Sequence, residues 1–177
     1  MTTSFQPRKP AGSPQGGQFD SKPHATLPDP VPEGIFGPRG FVAECGAEDT
    51  LKPYIGESWQ DPRLDFAPFE NVSSEDAGTL LNQLPQSVAE GRQNGAPMAG
   101  QLLVLAHKYG GRVGGYVVRP PRMDERVSID SVTLPMDGDF DDSSSAFSAV
   151  RDRYDLDALD EPDGVSWDGH NVELWWD

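Results

Sequence analysis

Two groups of side chains with opposite charge could act on another molecule. Lys108, Arg112, Arg119, Arg122 and Arg126 fall within nineteen residues that hold only Asp124 and Glu125 as acids. Arginine forks on a hairpin suit phosphate oxygens, so Arg112, Arg119, Arg122 and Arg126 are candidate nucleic-acid contacts. Asp137, Asp139, Asp141 and Asp142, followed by Asp155, Asp157 and Asp160, make the opposite group. Carboxylates carried on a rigid element can imitate the phosphate ladder of DNA or engage a basic protein surface. Each group also has a structural reading. Arginines guard strand edges, and aspartates near helix ends cap backbone N–H groups and maintain solubility.

Catalytic groups are sparse. His24, His107, His170 and Cys45 share no motif and no zinc-ligand spacing. Gly110-Gly111 and Gly114-Gly115 precede neither Lys-Ser nor Lys-Thr, and no GxGxxG opens a helix. Asp137, Asp139 and Asp141 match the first, third and fifth positions of a calcium loop. Its sixth position would be Asp142 instead of glycine, and its twelfth Ser148 instead of glutamate. The sequence therefore predicts no catalytic residues, no metal and no cofactor.

The charge pattern favours binding. The 177-residue chain has a formal charge of -15. Residues 1–40 carry four basic and three acidic side chains, residues 41–135 eight and thirteen, and residues 136–177 two and thirteen. A field of that sign works against nucleic acid and attracts basic partners. The expectation is a non-enzymatic acidic interaction protein that binds a basic protein, as a DNA mimic or an inhibitor does. The alternatives are a nucleic-acid-binding module using residues 112–126 and an enzyme of unidentified class. The longest apolar run, Leu102 to Ala106, is far below a membrane span of roughly 18 residues. A single cysteine fits a reducing cytoplasm.

The elements that position these residues are legible in part. Residues 1–40 are rich in Pro and Gly, with scattered apolar side chains, and read as a disordered leader. Within it, Arg8-Lys9-Pro10-Ala11-Gly12-Ser13-Pro14-Gln15-Gly16-Gly17-Gln18-Phe19 resembles a leader that recurs on proteins of actinobacteria, their phages and plasmids. That resemblance implies a mobile-element origin and assigns no site residue. Residues 41–72 read as irregular, with Phe41-Val42-Ala43 a short strand and Pro53, Pro62 and Pro68 opposing a long helix.

Beyond residue 72 the signals are clearer. Ser73 or Ser74 caps a helix whose apolar face is Ala77, Leu80, Leu81 and Leu84, and Pro85 stops it. A largely apolar helix runs from about Pro97 to Tyr109. Strands follow at 112–119 and 126–134. Apolar parity flips between Ile129 and Val132, which predicts a bulge near Asp130-Ser131. Residues 143–154 form a third helix. A last hairpin turns at Asp168-Gly169 as type I′, with Trp167, Val172, Leu174 and Trp176 inward and Trp175 outward as a candidate interface anchor. The predicted architecture is a single α+β domain over 41–177, an antiparallel sheet built from two hairpins with about three helices.

Overall fold

The computed structural model describes residues 36–61, 63–92, 95–157 and 159–177. The leader motif at 8–19 and His24 lie outside them. The described part opens with two short helices, α1 (Phe41–Glu44) and α2 (Ala47–Leu51), and two 3-10 turns at Lys52–Tyr54 and Glu57–Gln60. Then come β1 (Phe66–Val72), α3 (Ser74–Gln83), α4 (Gln86–Ala89) and α5 (Ala99–Tyr109). The chain continues through β2 (Arg112–Val118), β3 (Arg126–Pro135), α6 (Ser143–Tyr154), β4 (Gly164–Trp167) and β5 (Asn171–Trp175). The fold is α+β.

The strands make one antiparallel sheet in the order β1-β2-β3-β5-β4. The two predicted hairpins, β2–β3 and β4–β5, meet where β3 pairs with β5. One face of the sheet is apolar, with Phe69, Val113, Val117, Ile129, Val132, Leu134, Val172 and Leu174 all buried. Helix α5 packs on β2 and β3, α3 packs on α5 and β2, and α6 packs on β4 and β5. The other face exposes Phe66, Pro68, Glu70, Glu173 and Trp175.

Local chemistry explains the longer elements. Ser73 Oγ accepts the Asp76 N–H at 3.1 Å and caps α3. Asp142 accepts the Ser145 N–H at 2.8 Å and caps α6. The expected bulge is present: Gly114 pairs with Ser131 and Gly115 with Ile129, which leaves Asp130 as the extra residue on β3. That insertion lets Ile129 and Val132 both face the core.

Three expectations need correction. Phe41-Val42-Ala43 is helical, not extended. Gly40 takes the left-handed conformation (φ 89°), and the Glu125 carboxylate accepts the Gly40 and Val42 N–H groups at 2.6 and 3.0 Å. This cap comes from more than eighty residues away, so no local signal announces it. The first of these bonds ties Gly40 to the loop before β3. Residues 66–72 form a strand despite Pro68, because β1 is a sheet edge, where a missing N–H is tolerated. Pro85 ends α3 as expected and in addition occupies the N-cap of α4. Finally, the last turn is centred on Gly169-His170, one residue later than expected. Only Gly169 has positive φ (92°), the feature that separates a II′ turn from I′. Asp168 fixes this register by accepting the N–H groups of His170 and Asn171 at 2.9 and 2.7 Å.

Candidate interaction surface

The arginines of the β2–β3 hairpin largely hold their own chain. Arg119 donates to the carbonyls of Leu64 and Asp61 at 2.8 and 2.7 Å, approaches Glu48 at 3.4 Å and stacks 3.8 Å from the Trp59 ring centre. Arg122 binds both carboxylate oxygens of Asp124, at 2.7 and 2.5 Å. That pair holds the Asp124 carboxyl below its ordinary range and raises the Arg122 guanidinium. Arg126 reaches the same carboxylate at 2.9 Å and the Tyr116 hydroxyl at 3.1 Å. Arg112 stands apart at the start of β2 and lines a depression with Asn71, Thr133 and Glu173.

All seven candidate aspartates are exposed. They form two groups, since α6 with its twelve residues separates Asp142 from Asp155 by about 18 Å of helix rise. At the first end, Asp142 caps the helix, and the Ser145 N–H lowers its proton affinity. Asp137 lies 3.0 Å from His170 Nδ1, and that hydrogen bond raises the imidazole. Asp139 and Asp141 stand between them on the exposed link. At the second end, Asp155 closes α6 in the left-handed conformation, with φ 56°. Asp157 sits 3.6 Å from Arg151 and Asp160 2.7 Å from Arg92. Both pairs are well exposed, so they lend little stability.

Asp155 borders a feature the sequence does not announce. With Glu90 it flanks a groove of about 510 Å³ between α4, α5 and the chain beyond α6, lined by Leu81, Met98, Val104, Leu105, Leu156 and Leu159. Val104, at 44% exposed, is its most open apolar side chain. The groove joins α5 to a segment fifty or more residues further along the chain, so the apolar periodicity of α5 alone cannot reveal it.

A further acidic locus lies on the exposed face of the sheet. The Asp130 bulge opens a groove of about 230 Å³ whose walls include Glu70, Ser131, Glu173 and Trp175. Burial, then the nearby Glu173 and Asp177 carboxylates, push the Asp130 carboxyl up to about 6. The parity flip on β3 is the sequence signal for this place. Trp175 does face outward, 43% exposed.

His107 Nδ1 lies 2.9 Å from the Ser74 carbonyl and ties the end of α5 to the start of α3. Among the described residues, no three His, Cys, Asp or Glu side chains are placed to hold a metal ion, and no helix is long and apolar enough to cross a membrane. Comparison with known families, curated proteins and solved structures finds no match to this chain.

Proposed function

We propose that the chain is a non-enzymatic interaction protein that binds a basic partner protein along α6 and its flanks. The observation that carries this reading is the apolar groove flanked by Asp155 and Glu90. An apolar floor with an acidic rim suits an amphipathic basic segment, whose apolar side chains fill the groove while its cations meet the carboxylates. Asp157 and Asp160 extend the negative field beyond the groove, and Asp137, Asp139, Asp141 and Asp142 extend it past the other end of α6. The nucleic-acid alternative has less support, because Arg119, Arg122 and Arg126 are already engaged with the chain's own atoms.

The test is titration of the full chain with a helical Leu/Lys peptide, a Leu/Glu peptide of equal length and a DNA duplex. The Leu/Lys peptide should bind alone, and more weakly as salt rises. Asp155→Asn with Glu90→Gln should lower its affinity about tenfold, while Asn keeps the left-handed position open. Binding of the duplex in preference to the peptide, or a peptide affinity indifferent to both substitutions, would overturn the reading.

A further inference from the structure

The groove at the β3 bulge has the composition of a receptor for one positively charged group. Its floor is Gly114-Gly115, where backbone and hydroxyl fill the space a side chain would take. A Cβ on Gly114 would lie 2.5 Å from Ser131 Oγ, and one on Gly115 would run into the Ser128 carbonyl. Ser131 lines the groove and is 7% exposed, yet its hydroxyl makes no hydrogen bond among the described residues. Among the described residues only Arg126 Nε is a fully buried polar side-chain atom without a partner, so the Ser131 hydroxyl is reached from the groove and not sealed in the core. At the wall of an open groove it is an acceptor waiting for a donor. Asp130, Glu70 and Glu173 contribute carboxylates from three different strands, and Trp175 adds an exposed aromatic ring.

The dimensions narrow the ligand. At about 230 Å³ the groove is smaller than the roughly 300–1,000 Å³ of sites for drug-sized molecules. Its carboxylates do not converge closely enough to hold a metal ion. A cation on an alkyl stem meets both conditions, with its stem against Trp175 and its N–H groups directed at carboxylates and hydroxyl.

We propose that this groove receives the cationic end of a lysine or arginine side chain. The proposal rests on the reading of the chain as a receptor for a basic protein only for the source of that side chain, since the groove lies apart from the one beside Asp155. Carboxylates dominate the site, and one arginine, Arg112 on β2, stands in the depression that shares Glu70 and Glu173 with it. Glu70 faces the groove from β1, Glu173 from β5 and Asp177 from the chain beyond β5. With its carboxyl raised to about 6, Asp130 gains its charge between pH 5 and 7.5.

The experiment titrates the isotope-labelled full chain with N-acetyl-lysine amide, N-acetyl-arginine amide and the neutral norleucine analogue. Amide shifts of Gly114, Gly115 and Ser131, with the Trp175 indole, are the readout. One or both cations should move these signals to saturation and norleucine should not; the two cation arms separate lysine from arginine. Affinity should rise about tenfold from pH 5 to pH 7.5 as Asp130 ionises. Asp130→Asn should lower it about tenfold at pH 7.5 and remove that pH dependence. Ser131→Ala, which leaves the backbone untouched, should weaken binding in a chain whose spectrum stays dispersed. Equal shifts with norleucine, no shifts at these residues, or an Asp130→Asn chain that binds as before would overturn the proposal. Loss of Leu/Lys peptide binding at the Asp155 groove leaves these signals unchanged, so the two readings fail separately.

Discussion

The loop joining β2 to β3 and the segments flanking α6 are both dense in charge, and they use it in opposite ways. Between Arg119 and Arg126 the signs are mixed, and the charges turn toward the protein. Arg122 and Arg126 both pair with Asp124, although Arg126 Nε is left buried without a hydrogen bond, while Glu125 caps α1 and Arg119 grips residues 48–64. From Asp137 to Asp163 one sign dominates, and most carboxylates find no cation of their own among the described residues. Mixed charges close together can neutralise locally and so become part of the structure. A run of like charges cannot, and is left facing outward.

Substitutions can break this contrast. The largest effect belongs to Glu125, which is 1% exposed and accepts two N–H groups. Glu125→Ala strands both donors and should cost about 3 kcal/mol of stability in urea denaturation. A loss too small to shift the midpoint would mean the inward charges are incidental. Arg119→Met keeps an unbranched apolar stem but removes the guanidinium, with its stack on Trp59 and its bonds to the Leu64 and Asp61 carbonyls, and should cost about 2 kcal/mol. The same variant should bind the Leu/Lys peptide as the natural chain does; impaired binding would blur the boundary between the two regions. Smallest of all, Asp139→Asn with Asp141→Asn should leave the denaturation midpoint in place while weakening peptide binding at low salt. A clear loss of stability in that pair would show the outward charges to be structural after all.

The same contrast separates what is legible in the sequence from what is not. Helices α3 and α6 can be read from Ser73 and Asp142, because a cap and its helix lie within four residues. The bulge at Asp130 can be read from the parity of β3 alone. Helix α1 cannot, since the residue that caps it sits on a distant loop. Nor can β1, because Pro68 argues against a strand until the strand is known to be an edge. The site follows this rule as well. Asp130 and Trp175 are visible as a parity flip and an outward aromatic, whereas Glu70 and Glu173 join them only through the order β1-β2-β3-β5. The Arg119 contacts join residues 55 to 71 positions apart, so a list of arginines cannot separate them from free ones.

The Glu125 cap also bears on the order in which the chain acquires structure during synthesis. Gly40 waits for a partner 85 residues downstream. At the usual pace of translation, about 5–20 residues per second, that interval is roughly 4–17 s. Throughout it, α1 lacks its cap, and Phe41, Val42 and Leu51 lack much of the core in which they are later buried. The part of the domain made first is therefore completed late, and in that interval a chaperone has its best opportunity to act.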